Sequence, residues 1–461
     1  MASLVLSFAG AAAGSLLGPV GAIAGRLVGA VAGNVIDQAL FGGTKKIEGP
    51  RLSDLDVMAS SEGAPIPRVY GHARISGQVI WATRLEEVIA TRTDRVGGKG
   101  LGARTSTTTY SYFANFAVGL CEGPIGHVAR IWADGKPLDT TGLTIRVHTG
   151  RDDQQADALI VAKQGDAGTP AYRGLAYVVF ERLPLENFGN RIPQLTFEVI
   201  RPVGRLERML RAVTLIPGTT EFGYETAAVT RDLGPGESAS ENRHVAHAAS
   251  DVVASLDTLQ ALCPNLERVA LVAAWFGDDL RAAHCRLMPG VELRGKTTRP
   301  QTWSVAGLGR ADARLVSQAD GRPALGGTPS DASVTHLIRE LKARGLKVTL
   351  YPFVMMDVPP GNALPDPWTG GAGQPAYPWR GRITCDPAPG APGSVDGTAT
   401  AAAQVAALFG TAAPGNFIAG EGGVAYLGVP EWTLRRMVLH YAHLAAAAGG
   451  VDAFVIGSEM R

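Results

Sequence analysis

The sequence has few cysteines and no long run of basic charge. Its four cysteines lie far apart in 461 residues and form no CxxC pair: Cys121, Cys263, Cys285 and Cys385. This spacing predicts neither a zinc site nor a disulfide framework, so we expect free thiols, as in a protein assembled in a reducing cytoplasm. The formal net charge is +1 and no basic run is longer than a pair, which argues against a nucleic-acid-binding surface spread over the whole chain.

Length and composition are those of a globular chain with several domains. Hydrophobic residues make up 46% of the sequence and charged residues 18%, which suffices to bury large cores, and the length predicts two to four domains. Glycine occurs 58 times and proline 29 times. These numbers indicate many turns and a β-rich or loop-rich architecture.

The N-terminal segment carries a ladder of glycines. Residues 21–43 read GAIAGRLVGAVAGNVIDQALFGG, in which Gly21, Gly25, Gly29 and Gly33 recur at every fourth position. Each glycine in a helix interior costs about 1 kcal/mol relative to alanine, so a helix here needs an offsetting contact. Because small residues on one face let neighbouring helices approach closely, we predict helix packing through these four glycines.

Other interpretations of this segment compete with helix packing. A secretory signal would need a positive charge before its apolar core, and the first basic residue is Arg26. Residues 1–25 contain no charged side chain and exceed the roughly 20 residues that a bilayer requires, although Pro19 interrupts a single helix. We interpret residues 1–46 as a Gly/Ala-rich helical segment that packs between copies of the chain. Membrane contact through residues 1–41 and a buried hairpin are the alternatives.

Residues 47–203 predict an antiparallel β domain. Residues 94–102 read DRVGGKGLG, which is typical of the mobile tip of a hairpin. The strand that follows alternates with a period of two, and six of its residues would share one face: Tyr110, Tyr112, Ala114, Phe116, Val118 and Leu120. Further short apolar runs follow with no long helix between most of them.

Three blocks of this region resemble the tail-tip proteins of long-tailed phages, and most closely the large baseplate protein of gene transfer agents. The blocks are SEGAPIPRVYGHARISGQVIW, GLCEGPIGHVARIWADGKPLD and YRGLAYVVFERLPLENFGNRIPQLTFEV. The resemblance extends over essentially the whole chain. It implies a hub at the distal end of a tail channel, a homotrimer with other tail and baseplate proteins as partners, and DNA that passes through without sequence-specific binding.

The remaining sequence predicts a connector at 204–265 and βα units at 266–461. RVALVAAWFGDD is a near-continuous apolar run of the kind found in doubly covered parallel strands. Four residues then form the apolar stripe of a helix that Gly345 ends: Val334, Leu337, Ile338 and Leu341. Helices that alternate with buried strands predict a parallel sheet, and the resemblance implies a barrel domain similar to glycoside hydrolases.

Candidate chemistry lies where the strands end, since such barrels react at their C-terminal face. Asp278 and Asp279 follow one strand, Asp357 follows the next, and Glu459 ends the last. The resemblance places Glu459 at the acid/base glutamate of many sugar-cleaving barrels, with Ser458 where asparagine is usual, and Asp357 is the weaker candidate. Glycoside cleavage needs a second carboxylate roughly 5 Å or 6.5–9.5 Å away. We expect about four of eight strands before Arg461 and therefore an inactive chain as it stands.

Other candidate sites are weaker. His244 with His247, and His440 with His443, have ligand-like spacing but no obvious third ligand, so we expect solvated or helix-surface histidines. The loop at 357–429 holds three aromatic residues that could stack on sugar rings or pack onto their own domain: Trp368, Tyr377 and Trp379. We predict no cofactor and no metal.

The sequence therefore predicts a multidomain α+β protein, with N-terminal Gly/Ala-rich helices, an antiparallel β hub domain and the first part of a (β/α) TIM-like barrel. The function we infer is that of a structural tail-tip or baseplate protein of a virion-like particle, which helps envelope contact and DNA delivery. A cell-envelope glycan hydrolase that acts through the barrel is the alternative. Cell-envelope glycan is accordingly a candidate partner.

Overall fold

The computed structural model describes residues 45–48, 63, 65–96, 103–218, 221–420 and 422–459. The glycine ladder at Gly21, Gly25, Gly29 and Gly33 lies outside these residues, as do residues 97–102 of the predicted hairpin tip. The described chain is a mixed α+β protein, as predicted, with more strands than helices. Among its helices, none combines the length and the apolar composition needed to cross a bilayer.

Residues 65–201, here called the sandwich, are built mainly from strands. The strands, with one that precedes residue 65, are β1 (Lys45–Glu48), β2 (Gly71–Ser76), β3 (Gln78–Ala82), β4 (Glu86–Val96), β5 (Ala103–Glu122), β6 (His127–Ala133), β7 (Lys136–Pro137), β8 (Thr144–His148), β9 (Leu175–Pro184) and β10 (Leu195–Arg201). One α-helix, α1 (Ala158–Gln164), lies between β8 and β9. Two 3-10 turns follow α1 and β9, at Asp166–Gly168 and Glu186–Phe188.

The strands form two sheets. In the first, the 20-residue β5 pairs with β3, β4 and β9 antiparallel and with β1 parallel, and β8 pairs with the far side of β9. The second sheet has the order β2-β10-β6-β7. One buried cluster contains side chains of both sheets. Within it Phe116 of β5 stacks on Phe180 of β9 at 4.8 Å between ring centroids, and Phe180 contacts Phe197 of the second sheet at 6.3 Å.

The alternation predicted for β5 holds along most of its length. Tyr112, Ala114, Phe116 and Val118 are buried in this cluster, and Tyr110 packs against it. Two bulges in the pairing with β9 interrupt the period, so that Leu120 and its neighbour Cys121 both join the same core. A β-bulge inserts an extra residue and redirects the side chains beyond it.

A buried carboxylate anchors β8 to the start of α1. Asp157 accepts hydrogen bonds from Arg146 Nε and Nη2 at 2.7 and 2.9 Å and from the backbone N–H of Leu159 at 2.9 Å, and its Oδ2 lies 2.9 Å from His148 Nε2. Burial alone would raise the pKa of Asp157, but these hydrogen bonds outweigh it and lower the pKa to about 2. The ionised form is therefore the one that the fold favours.

We expect the sandwich to lose stability in acid through Asp157. A pKa below that of the unfolded chain stabilises the fold above about pH 4, and this contribution of about 2 kcal/mol disappears as the pH falls through 2. About half should be lost by pH 3. Denaturant unfolding of the wild type and of Asp157→Asn at pH 7 and pH 3 measures it. A difference between the two pH values that is equal in both proteins would contradict this role.

Residues 212–459 are here called the parallel-sheet unit. A short helix, α2 (Leu206–Met209), lies in the segment that joins this unit to the sandwich. The helices are α3 (Asp251–Leu262), α4 (Asp331–Ala343), α5 (Ala399–Phe409) and α6 (Leu434–Ala447). The strands of this unit, in chain order, are β11 (Ala212–Leu215), β12 (Thr230–Gly234), β13 (Glu237–Ser240), β14 (Arg268–Gly277), β15 (Leu287–Met288), β16 (Gly290–Val291), β17 (Thr298–Arg299), β18 (Ser304–Val305), β19 (Leu308–Gly309), β20 (Arg314–Leu315), β21 (Gln318–Ala319), β22 (Arg322–Pro323), β23 (Lys347–Met356), β24 (Phe417–Gly420), β25 (Gly423–Tyr426) and β26 (Ala453–Phe454). Two 3-10 turns lie at Arg380–Arg382 and Pro414–Asn416.

Four parallel strands form the centre of this unit, in the order β11-β14-β23-β26. The chain crosses between them through α3, α4 and α6, which is the βα arrangement predicted from the sequence. The strands do not close into a barrel. The sheet begins with β11, which lies inside the segment interpreted as a connector. The sequence does not reveal this strand, because it is only four residues long and gives no extended apolar signal.

Helix α4 shows why these crossovers form. Ser330 caps its N-terminus by accepting a hydrogen bond from the backbone N–H of Ser333. The four residues of the predicted apolar stripe are fully buried against the sheet. Gly345 follows the helix with a φ of +76°, a left-handed conformation that glycine adopts without strain. The chain can then turn directly into β23.

Candidate functional site

The C-terminal edge of the parallel sheet carries the four carboxylates that the sequence singled out. Asp278 and Asp279 follow β14, Asp357 follows β23, and Glu459 lies beyond β26. The structure gives these side chains very different surroundings. Three of them stabilise loops, and one is exposed.

Asp357 is buried and fully engaged within the protein. Its Oδ2 accepts a hydrogen bond from Arg314 Nε at 3.1 Å, and both of its carboxylate oxygens receive the backbone N–H of Ser317. Its own backbone N–H donates to the carbonyl of Gly277 at 2.8 Å. A carboxylate that is 1% exposed and held on both oxygens positions the loop that contains Arg314 and has no free face for a substrate.

The two aspartates after β14 also hold loops. Asp279 forms a forked ion pair with Arg281 and accepts a hydrogen bond from Gln374 Nε2 at 2.7 Å. Burial raises the pKa of Asp279, but the hydrogen bonds from Arg281 and Gln374 outweigh it and lower the pKa overall. Asp278 accepts the backbone N–H of Arg286 at 2.8 Å, and its burial raises its pKa.

Glu459 is the exposed member of the set, with 58% of its side chain accessible. Its Oε2 lies 2.7 Å from Arg380 Nη2 and accepts a hydrogen bond from Trp379 Nε1 at 3.0 Å. The backbone at Glu459 has a φ of +54°, an uncommon conformation for a residue with a side chain. Trp379 is itself 51% exposed. A carboxylate and an indole therefore lie together on the surface.

Arg380 connects this pair to the end of the sheet. Its guanidinium lies 3.9 Å from the ring centroid of Phe353 in β23, and its Nε donates to the carbonyl of Ser458 at 3.0 Å. The hydroxyl of Ser458 accepts a second hydrogen bond from Arg380 and bonds to the hydroxyl of Tyr351. Ser458, which replaces the expected asparagine, thus fixes Arg380, and sequence reasoning missed this arginine.

Glu459 and the other three carboxylates are held by different residues. Glu459 is contacted by Trp379 and Arg380. Asp278, Asp279 and Asp357 are contacted by other residues, and Arg314 lies near both Asp278 and Asp357. A glycosidase needs two carboxylates on either side of the scissile bond. What the arrangement offers is an exposed polar and aromatic surface that suits contact with a sugar or with another protein.

The loop over this edge uses its aromatic residues in different ways. Trp368 donates its Nε1 hydrogen to the carbonyl of Arg382 at 3.0 Å and is only partly exposed. Tyr377 donates its backbone N–H to Val358. Of the three aromatics that the sequence indicated, Trp379 contacts Glu459. Trp368 instead packs onto its own unit through the hydrogen bond to Arg382.

The histidines of the pair at 440 and 443 have different surroundings. His440 is buried, with Nε2 2.9 Å from Asp331 Oδ1, and His443 stacks on Phe417. The expectation of a helix-surface position was wrong for His440, because its ring packs against Trp275 on the inner face of α6. Across the described ranges, no group of three or more His, Cys, Asp or Glu side chains is arranged to hold a metal ion.

A buried ionic cluster within the parallel-sheet unit was not foreseen. Lys296 Nζ donates to Glu221 at 2.8 Å, Glu241 at 2.9 Å and Glu292 at 3.0 Å, and Arg310 donates to Glu221 at 2.8 Å. The Lys296 side chain is 4% exposed. Apart from Glu292 and Lys296, which are four residues apart, these residues are distant in sequence, so the sequence carried no clear signal of the cluster.

Comparisons with known proteins point to gene transfer agents. Residues 432–461 match the family model of the GTA TIM-barrel-like domain, a stretch that includes α6, β26 and Glu459. One solved chain, from a structure described as the virion of a native gene transfer agent (GTA) particle, is 41% identical and aligns over 44% of each chain. Its TM-score of 0.27 does not establish a shared fold. No curated protein matches this chain.

Proposed function

We propose that this chain is a structural component of a phage-like gene transfer particle and lies at the tip of its tail. The observation that supports the proposal best is the family match at residues 432–461, which covers the last βα unit. The three sequence blocks that resemble tail-tip proteins lie in the sandwich, so both parts of the chain point to the same kind of particle. The loop-anchoring roles of Asp278, Asp279 and Asp357 agree with a scaffold.

The sandwich has free strand edges for assembly. β2 pairs only with β10, and β8 pairs only with β9, among the described strands. An unpaired edge is a template for another chain, and cyclic closure lets each copy cover its neighbour. We propose a homotrimeric ring around a channel through which DNA passes, with other tail and baseplate proteins above it. Assembly would take place in the producing cell's cytoplasm.

Deletion of the gene from a producing strain tests the structural role. We expect particles that lack a normal tail tip and fail to transfer DNA, with rescue by the complete protein. An affinity-tagged copy should co-purify with intact particles and be detected at the tail end by gold-labelled antibody. Two results would together overturn the proposal: a deletion strain whose particles still transfer DNA, and purified particles that carry no tagged chain.

The second candidate, a glycan hydrolase, has one observation in its favour: exposed Glu459 beside exposed Trp379. We expect Glu459→Gln particles to assemble normally, because an exposed carboxylate contributes little to packing, and to release no less sugar from isolated envelopes than the wild type. Glu237→Gln, at another exposed glutamate, is the matched control. A fall in sugar release by orders of magnitude in Glu459→Gln alone would establish the hydrolase.

A further inference from the structure

A cleft of about 510 Å³ lies on the parallel-sheet unit beside the buried ionic cluster, and Lys296 of that cluster forms part of its lining. Three leucines from separate segments also line it: Leu233 near the end of β12, Leu293 after β16 and Leu315 in β20. They are 52%, 43% and 38% exposed. Single exposed leucines are common on protein surfaces, whereas several around one cleft are typical of an interaction site.

Hydrogen bonds hold the walls of this cleft in place. The carbonyl of Leu293 accepts a hydrogen bond from Arg310 Nη1 at 3.0 Å, and the backbone N–H of Glu292 donates to Glu221 Oε1 at 2.9 Å. Leu315 is fixed by the parallel pairing of β20 with β16. Because the backbone that carries two of the leucines is already ordered, a ligand that binds between them would lose little free energy to ordering the site.

Two arginines of the lining have hydrogen-bonding capacity left. Arg294 is exposed and takes part in none of the ion pairs between described residues. Arg231 is 39% exposed and lies 3.6 Å from Glu241 Oε1, but its Nε has no hydrogen-bond partner among the described residues. A guanidinium has five N–H donors and no acceptor, so these side chains favour a ligand that brings an acceptor with negative charge.

The other polar side chains of the lining are engaged within the protein. Lys296 donates to the three glutamates of the ionic cluster. Asp232 Oδ2 accepts a hydrogen bond from Arg299 Nε at 3.0 Å, so this acid is paired with a base. Gln318 Nε2 donates to a backbone carbonyl at 2.9 Å. The charge that remains without a partner at the cleft is the positive charge of Arg294.

We infer that this cleft binds a segment of a partner protein that presents an aliphatic side chain next to a carboxylate. The aliphatic group lies between the three leucines, and the carboxylate pairs with Arg294, whose planar guanidinium offers two parallel donors to it. A long lipid chain is disfavoured, because leucines that remain this exposed form a shallow cleft that does not enclose it. The inference does not depend on the proposed place of the chain in a particle.

Fluorescence anisotropy of labelled peptides with the complete chain tests the cleft. The probe carries the sequence Leu-Leu-Glu-Leu-Leu, and two matched peptides replace either its glutamate by glutamine or its leucines by alanine. We expect the probe to bind about tenfold more tightly than either matched peptide, and its binding to weaken as salt is added, because an ion pair at an exposed arginine is screened. Equal binding of the three peptides, or no binding of the probe, would overturn the inference.

Two variants separate the charge of the cleft from its apolar surface. Arg294→Gln should lose the preference for glutamate over glutamine and keep the preference for leucine over alanine. Leu293→Ser/Leu315→Ser should do the reverse, and the fold should tolerate these changes because the side chains are exposed. Arg435→Gln and Leu427→Ser, at exposed residues outside the lining, should bind as the wild type does. Cleft variants that keep both preferences would place the binding elsewhere and overturn the inference.

Discussion

Lys296→Met is expected to lower the free energy of unfolding of the parallel-sheet unit by about 3–5 kcal/mol, the range seen when one partner of a buried ion pair is removed. The ammonium group of Lys296 donates to three carboxylates and is almost inaccessible to water. Burial would lower the pKa of Lys296, but Glu221 and its neighbours outweigh this and raise it. Methionine fills similar space without the charge, so the loss isolates the electrostatic contribution.

Denaturant unfolding followed by tryptophan fluorescence measures this effect, since Trp275 and Trp303 are buried in the same unit. Lys163→Met is the matched control, because Lys163 is 46% exposed and lies 3.9 Å from its nearest carboxylate. Exposed pairs of this kind contribute about 0–1 kcal/mol. A Lys296→Met protein within 1 kcal/mol of the wild type would show that Arg310 alone satisfies the cluster.

Gly123→Ala is expected to destabilise the sandwich by about 3 kcal/mol or to prevent its folding. A Cβ at Gly123 would lie 2.5 Å from the Cα and the carbonyl oxygen of Gly150 and 2.7 Å from the carbonyl oxygen of Thr149. These are backbone atoms, which cannot rotate away, and overpacking of a tight contact costs about 1–3 kcal/mol or more. Thermal unfolding of the purified variant measures the loss.

Gly168→Ala is the control for this substitution. Gly168 has no atom within 4 Å of an added Cβ, and its backbone does not have a positive φ. Its replacement should change stability by less than about 1 kcal/mol in either direction. Equal stability of the Gly123→Ala and Gly168→Ala proteins would mean that the two backbone segments at Gly123 and Gly150 separate at little cost.

The sequence was informative wherever burial follows a period. The stripe of α4 and the shared face of β5 could be predicted because every third or fourth, or every second, residue faces a core. The period failed at Leu120 and Cys121, where a bulge puts both in one cluster. A bulge depends on the pairing with β9, which a single strand does not encode.

The positions of the strand-end carboxylates could also be predicted, but their roles could not. Strand ends follow from apolar runs, so Asp357 and Glu459 were identified in advance. Arg314, which binds Asp357, and Arg380, which binds Glu459, belong to loops with no periodic pattern. The same holds for Lys296 and its three glutamates. Partner choice within loops is decided by tertiary packing, so the sequence alone could not predict which side chains these carboxylates would contact.

The proposed place of the chain at a tail tip is tested most directly by cryo-electron microscopy of intact particles. We expect density at the distal end of the tail into which the two-sheet sandwich and the four-stranded parallel sheet both fit, repeated three times around a channel. Density for this chain elsewhere in the particle, or a tail tip into which neither unit fits, would contradict it.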